Sequence, residues 1–474
     1  KRIIMNNSKY DLVVIGAGPG GYVAAIRASQ LGLNVAIVER ESVGGVCLNW
    51  GCIPTKALLR SAEVGHLLNN LEAYGFSADN ISFDIKKIVQ RSRSVAKQLS
   101  SGVSHLLKKN KVTVILGSAS LKRKSGDEFN IEVRQEDKKY LNLKSKNVIM
   151  ATGARAKSLP NIIPDGKSIW TYKEAMVPNT LPKSILVIGS GAIGIEFASF
   201  YNDLGVDITV VEVVDRILPA EDIDISNFAL KSFEKQGIKI KTSSMVKSLK
   251  TLKGKISVQI ETAAGSEEVT VEKVILAVGI IGNTENLGLE NTLAKVSNGQ
   301  LVVDNWGATN EPGLYAIGDL VGAPWLAHKA SHEGVICVER IAGVKNVHPL
   351  DYSNIPGCTY SRPQVASVGL TQKLAEDAGY KVRVGHFPFI GNGKAIALGE
   401  VDGFVKTVFD ATTGELLGAH MIGAEVTEMI QGYAVARTLE TTENELLNTV
   451  FPHPTLSEMM HESVLDAFDR AIHI

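Results

Sequence analysis

The strongest pattern along the chain is an apolar strand that breaks into a glycine turn and then a helix. DLVVIGAGPGGYVAAIRASQLGLNVAIVE, from Asp11, reads as strand, glycine turn, small-residue helix, Leu-Gly stop, second strand and terminal glutamate. SILVIGSGAIGIEFASFYNDLGVDITVVE repeats it feature for feature at a constant offset of 173 residues, from Asp11 to Ser184. Two copies of one βαβ unit are therefore predicted, each opening a parallel sheet. A shorter echo pairs NVIMATG at 147–153 with KVILAVG at 273–279, each a buried strand running into a small-residue turn that closes its domain. Residues 121–143 and 244–271 alternate apolar and polar positions with many charges, as exposed antiparallel strands do. From about Asp351 the pattern changes to short strands (401–409) and amphipathic helices (424–439) without another glycine fingerprint, which predicts a separate C-terminal domain.

Composition adds bounds rather than direction. At 474 residues and 45% hydrophobic, the chain has material for three or four domains, each with its own core. Basic and acidic side chains balance at 50 each, so no overall field draws it to nucleic acid or an anionic membrane, and a small uncharged substrate fits better. The cysteines are Cys47, Cys52, Cys337 and Cys358, too few for a secreted chain of this size built on disulfides, and the expected compartment is reducing. The start lacks the apolar core of a signal peptide; Met5 is the expected natural start, with residues 1–4 a remnant. No uncharged apolar run reaches the roughly 18 residues of a membrane span. The expectation is a soluble cytoplasmic protein; a mitochondrial matrix chain stripped of its transit peptide would look the same.

Each repeated unit carries the chemistry of a dinucleotide site. Gly16, Gly18 and Gly21 provide the tight turn, the close approach of a pyrophosphate and the helix packing, while the helix N-terminus offers amides and positive dipole to the diphosphate. Glu39 closes the following strand, where it can accept hydrogen bonds from a ribose diol. Gly189, Gly191, Gly194 and Glu212 repeat the arrangement. One fingerprint alone could be a glycine-rich turn; two, with matched strands and acids, leave little room for that. A carboxylate at Glu212 repels the extra phosphate of NADP, and Val213 and Val214 offer no arginine to bind it, with Arg216 the one nearby cation, so NAD is favoured. Two dinucleotides in one chain point to electron transfer, and flavin is the usual partner of nicotinamide. The first site lies closer to the cysteine pair, which assigns it FAD. In GLYAIGDL (313–320), Asp319 ends a buried strand, where an acid needs a partner: a ribitol hydroxyl suits, and a plain helix cap is the alternative.

Cys47 and Cys52 sit in GGVCLNWGCIPTKALL. Five residues of regular helix advance about 7.5 Å, beyond the usual Cα spacing of a disulfide, so a bridge needs an irregular backbone, which Gly51 and the Gly44–Gly45 pair can supply. Pro54 suits the first turn of the next helix, placing Cys52 at its positive end, where a thiolate is stabilised. A disulfide in so short a loop, in a reducing compartment, is catalytic rather than structural. Zinc would need further Cys or His at ligand spacing, and none is adjacent, so no metal is expected. Cys337 and Cys358 lack such a setting and read as inert thiols.

These segments together resemble the pyridine nucleotide-disulfide oxidoreductases, over nearly the whole chain from Tyr10 to the C-terminal helix, and most of all those members that act on protein-bound dihydrolipoamide. The resemblance implies an α/β fold: two Rossmann-like domains for FAD (1–153) and NAD (154–279), a central domain completing the FAD site (280–350) and an α+β dimerisation domain (351–474). It implies one tight FAD per subunit and NAD+/NADH. Dihydrolipoamide would be oxidised to lipoamide through a Cys47–Cys52 disulfide and FAD, with hydride passing to NAD. By the same carry-over Lys56 lies near the flavin N5 with Glu196 as its partner, and residues 117–119, Ala119 among them, touch the adenine side of FAD. Arg40, Thr152, Gly153, Leu326, Ala327 and His328 complete the flavin set; Trp325 stands where the family has methionine. Ile193, Val246 and Gly279 join the NAD set.

The family ends in a motif like FPHPTLSE (451–458), which implies His453 as acid-base residue and Glu458 as its orienter, brought to Cys47 across a homodimer interface. A thiol must lose a proton to attack a disulfide, and imidazole titrates in the right range. On residues alone, Thr455 to Glu458 is equally a capping box opening the last helix, and His461 is a rival base. Implied partners are the lipoyl domains and core subunit of a 2-oxoacid dehydrogenase or glycine cleavage complex, with no nucleic acid and no membrane. Alternatives within the fold are a glutathione-type reductase, which would want arginines for NADP, and a mercuric reductase, which carries a further cysteine pair. Outside it stands a non-enzymatic FAD-bearing scaffold or adhesin, against which the intact cysteine, histidine and glutamate set argues.

Overall fold

The structure is a computed structural model and describes residues 6–474, so the expectation about residues 1–4 lies outside the described residues. The fold divides into two units. The first comprises the described residues up to Ala57 with Val89–Lys157 and Ile280–Leu350; the second comprises Leu58–Ile88, Ser158–Gly279 and Asp351–Ile474.

In the first unit the strand Ser8–Ile15 lies between Val35–Glu39 and Tyr140–Met150, both parallel to it; Thr113–Leu116 extends the sheet beyond Val35–Glu39, and Leu314–Ala316 pairs with the upper end of Tyr140–Met150. Val35–Glu39 is buried at every position, as expected of a central parallel strand covered on both faces. The helix Pro19–Gln30 buries Gly20, Gly21, Ala24, Ala25 and Ala28, and these small residues let the helix Ala327–Ile341 come close: a Cβ on Gly334 would meet the Gly20 carbonyl at 2.7 Å. Ser118–Ser125 and Glu128–Arg134 form an antiparallel meander with the lower half of Tyr140–Met150. Expected as exposed, this meander is half-buried. Leu121, Phe129, Ile131, Val133, Leu141 and Leu143 all face a core, so the alternation marks one covered face rather than two wet ones.

The second unit repeats the parallel sheet in the order Lys239–Lys241, Asp207–Val211, Ser184–Ile188, Lys273–Leu276 and Ile169–Trp170. Its meander, Met245–Leu252, Lys255–Thr262 and Gly265–Val271, precedes Lys273–Leu276 as the other meander precedes the end of Tyr140–Met150. The two copies differ in their fifth strand, which comes from later sequence in the first and earlier sequence in the second. They differ also in the connection from second to third strand. In the second copy it holds the single helix Ile223–Lys235; in the first it holds the cysteine segment and the helices Cys52–Asn69 and Ile85–Lys109.

The C-terminal part is an antiparallel sheet in the order Gly357–Thr359, Gln364–Gly369, Leu416–Gly423, Phe404–Asp410 and Val382–Pro388. Leu416–Gly423 is buried throughout because Val426–Thr438 and Ile223–Lys235 both pack on it. Lys406, fully buried in Phe404–Asp410, donates to Asp222 at 2.8 Å and Asp224 at 2.6 Å, where a helix begins. An ammonium is tolerated there because both neighbours are acids. Among the described residues no helix is long and apolar enough to cross a membrane.

Candidate active site

The two glycine fingerprints form turns with the same backbone features. Gly16 and Gly189 have φ of +106° and +99°, and a Cβ on either would run into the carbonyl of Ala151 or Ala277. Gly18 and Gly191 precede the helices Pro19–Gln30 and Ala192–Asp203 with extended backbones and no side-chain cap, leaving the first helical amides to a ligand. Glu39 accepts from the amides of Ala17 and Glu41, each at 2.8 Å; Glu212 accepts from those of Ser190 at 2.8 Å and Val214 at 3.1 Å, and also from the Ser190 hydroxyl at 2.7 Å. Each acid thus fastens its strand end to its glycine turn. A carboxylate offers about four acceptor sites, so capacity for ribose hydroxyls remains. These cradles fit dinucleotides.

Around the first cradle, the Gly117 amide donates to the Glu39 carbonyl at 2.8 Å, and Ala119 lies in Ser118–Ser125, the strand that follows it. Arg40 is exposed and paired with Glu41 at 3.6 Å. Thr152 and Gly153 hold Asn283: the Thr152 hydroxyl donates to its carbonyl at 2.8 Å, and its amide donates to the Gly153 carbonyl at 2.9 Å. Asp319 stands in the 3-10 turn Gly318–Val321, its carboxyl raised above the usual range by burial, against the opposing charge of Lys329. Leu326 caps Ala327–Ile341, with Ala327 half-buried and His328 exposed near its start, and Trp325 is exposed. Around the second cradle, Ile193 is exposed in the first helical turn, Val246 is buried in the meander and Gly279 follows the strand Lys273–Leu276 at φ +102°. Arg216 donates instead to the Pro219 carbonyl at 3.3 Å.

Sequence reasoning missed the pair that holds the Asp319 turn. Lys329, buried, donates to the carbonyls of Gly318 and Gly322 and to Glu333, each at 3.0 Å, and the other Glu333 oxygen accepts the Gly318 amide at 2.7 Å. Its one sequence signal was an oppositely charged pair four residues apart on the packed face of a helix.

The cysteines lie on either side of a helix break. Gly45–Trp50 ends at Gly51, and Cys52–Asn69 begins immediately after it, with Pro54 in its first turn as expected. A Cβ on Gly51 would sit 3.3 Å from the Cα of Cys47, so the break brings the two segments together. The Cys47 pKa is pushed far up, first by its hydrogen bond with Cys52, then by burial and by the like charge of the Cys52 thiolate, while Lys56 opposes the rise. Lys56 is one turn into the same helix. Glu196 is buried in Ala192–Asp203 and accepts the Tyr360 amide at 2.9 Å.

His453, largely exposed, pairs through Nδ1 with Glu458 at 2.9 Å, and the other Glu458 oxygen accepts the Thr455 amide at 2.9 Å. The expected capping box is only half made. The Thr455 hydroxyl donates backwards to the Pro452 carbonyl at 2.6 Å, and the helix Glu458–Ala467 starts after Ser457 without a side-chain cap. Burial raises the Glu458 pKa, but the Thr455 amide and then His453 bring it below the usual carboxylate range. His461, the rival base, has its Nε2 3.1 Å from the Leu447 carbonyl and its ring 5.4 Å from that of Phe451. Cys337 is buried with its pKa raised by that burial, and Cys358 is half-buried.

Comparison with known proteins matches residues 10–334 to the pyridine nucleotide-disulphide oxidoreductases and residues 355–464 to their dimerisation domain. The chain is 57% identical to the dihydrolipoyl dehydrogenase of Zymomonas mobilis over 98% of this chain and 99% of that one, and 55% identical to that of Rhizobium etli at the same coverage. Among solved structures it resembles LpdA of Mycobacterium tuberculosis, with a TM-score of 0.90 and 27% identity over 96% of this chain and 99% of that one. It also resembles the HOCl-induced flavoprotein disulfide reductase RclA of Escherichia coli, solved as a copper(II) complex, with a TM-score of 0.86 and 25% identity over 96% and 99%.

Proposed function

From the fact that this chain belongs to the pyridine nucleotide-disulphide oxidoreductases, we propose that it oxidises protein-bound dihydrolipoamide to lipoamide through Cys47 and Cys52, with NAD as final acceptor. The observation that carries the reading is the cysteine pair, its sulfurs hydrogen-bonded across a helix break in the second-to-third-strand connection, where the two dinucleotide units differ. FAD in the first cradle and NAD in the second supply the two-electron relay that thiols alone lack.

In this reading Gly16, Gly18 and Gly21 hold the FAD diphosphate, Glu39 its ribose and Asp319 its ribitol; Gly189, Gly191, Gly194 and Glu212 hold NAD and disfavour NADP. We assign the domains as 1–153 for FAD, 154–279 for NAD, 280–350 as central and 351–474 as interface. The chain works as a homodimer, in which His453 of one subunit serves Cys47 of the other. His453 takes a proton from the substrate dithiol while Glu458 holds the imidazole by Nδ1, leaving Nε2 for the thiol. The substrate thiolate attacks Cys47 of the oxidised pair and the Cys47–Cys52 bond breaks; the second substrate thiol then displaces Cys47 as lipoamide closes, its proton passing to the departing Cys47 sulfur. Cys52 keeps the negative charge, next to Lys56. Partners are lipoyl domains and the core subunit of a 2-oxoacid dehydrogenase or glycine cleavage complex, and the setting is cytoplasmic.

Anaerobic titration of the flavin-loaded protein with dihydrolipoamide tests this. A long-wavelength thiolate–flavin absorbance should grow in to one equivalent, and Cys47→Ser should abolish lipoamide turnover while leaving a yellow protein. Lipoamide turnover retained by Cys47→Ser would sink the assignment.

A further inference from the structure

The helix Ile85–Lys109 grips the redox segment through side-chain donors. Arg91 donates to the Ala57 carbonyl at 2.7 Å, Ser92 to that of Pro54 at 2.8 Å, Arg93 to that of Asn49 at 2.6 Å and Ser100 to that of Val43 at 2.6 Å. Backbone on both sides of the break between the cysteines is thereby fixed to one long helix. Of these four donors, Arg93 alone reaches a residue between Cys47 and Cys52. Its guanidinium also lies over the Trp50 ring, 4.6 Å from the centroid. Asn49 is in turn tied to the Val43 and Gly45 carbonyls at 3.1 and 2.9 Å.

The chemistry of the pair makes this grip consequential. The short helix Gly45–Trp50 ends between the cysteines, where its last carbonyls lack intrahelical partners; a guanidinium there satisfies one and complements the negative end of the helix. The loop must also place the sulfurs at bonding distance in the disulfide. The hydrogen bond between the Cys47 and Cys52 side chains shows that the clamped loop already keeps the two sulfurs close, and a loop so restrained loses less freedom when the bond closes, so the clamp favours the disulfide without touching either sulfur.

We propose that Arg93, acting through Asn49 and Trp50, is a positioning residue that sets the dithiol–disulfide equilibrium of Cys47 and Cys52. This rests on the function proposed above. The balance it shifts is a two-electron, two-proton exchange: the protein S–S bond breaks and two protein thiols form as a substrate dithiol loses two protons and closes its own S–S bond.

The test equilibrates flavin-loaded enzyme anaerobically with graded ratios of dihydrolipoamide to lipoamide, followed by acid quench and mass-tagging of thiols. Arg93→Ala should move the midpoint ratio about tenfold toward the dithiol, or about 30 mV. Arg93→Lys, which keeps charge and a donor, should recover part of the shift, and Trp50→Val should move the midpoint the same way by less. Midpoints of Arg93→Ala and Trp50→Val both within twofold of wild type would overturn the proposal; if Arg93→Ala fails to fold, Arg93→Lys and Trp50→Val decide it. Should the wild-type pair not respond to the lipoamide couple, the parent reading fails, and the same variants titrated with dithiothreitol still decide the role of Arg93.

Discussion

Glu458 divides its two oxygens between an imidazole and a backbone amide, so one carboxylate orients His453 and fastens the Thr455 turn. The sequence offered these as competing readings, because a Thr-x-x-Glu spacing says nothing about which oxygen goes where. The part of the box that fails is the threonine hydroxyl, which the turn at Pro452 diverts. His453→Gln should cut lipoamide turnover by about 10²-fold or more, and Glu458→Gln, which keeps an acceptor but loses the charge, by about tenfold. Since the Glu458 pKa is lowered in the fold, its charge contributes stability that is present above the ordinary carboxylate pKa and lost as pH falls through the lowered one. Glu458→Gln should therefore lower the melting temperature at pH 7 and lose that difference toward pH 3. An equal difference at both pH values would show that packing, not charge, is what Glu458 provides. Lys329 illustrates the converse, a residue invisible to motif reading because its role is to satisfy two backbone carbonyls of the irregular turn just before its helix, which no residue pattern marks.

At the scale of elements, the duplication was fully legible, since strand, turn, helix and acid recur at one fixed offset and local rules suffice to fold each copy. Less legible was the origin of the fifth strand of each sheet, because a three-residue strand such as Leu314–Ala316 or a two-residue one such as Ile169–Trp170 carries no periodicity to detect. The match between the copies makes a paired experiment possible. A Cβ on Gly21 would run into the Gly16 carbonyl, and one on Gly194 into that of Gly189, so the same methyl group perturbs each cradle in the same way. Gly21→Ala should yield a protein that purifies largely without flavin. Gly194→Ala should purify yellow, accept electrons from dihydrolipoamide in a single turnover, and show an NAD KM raised about tenfold or more. Normal flavin content in Gly21→Ala with flavin lost from Gly194→Ala would reverse the assignment of FAD and NAD.

For the whole molecule, sequence pattern could not bring Cys47 and His453 together; family resemblance supplied that link, through a second copy of the chain. One surface of the C-terminal part suits that role. Val435, Leu439 and Val450 are 49%, 72% and 93% exposed, and they line a groove of about 890 Å³ with Phe451, immediately before the His453 turn. Apolar side chains so exposed beside a proposed catalytic turn are expected to be covered by a partner. If each site takes its cysteines from one subunit and its histidine from the other, two dead enzymes can rescue one another. Cys47→Ser and His453→Gln homodimers should both be inactive on dihydrolipoamide. After subunit exchange at equal concentrations half the dimers are mixed, and each mixed dimer has one site with both intact groups and one with neither. Turnover should then rise to about a quarter of wild type, as two-fold symmetry dictates. Were the site complete within one subunit, every subunit in the mixture would still carry a defect and no activity would return, so exchange confirmed by mass spectrometry without recovery would refute the shared site.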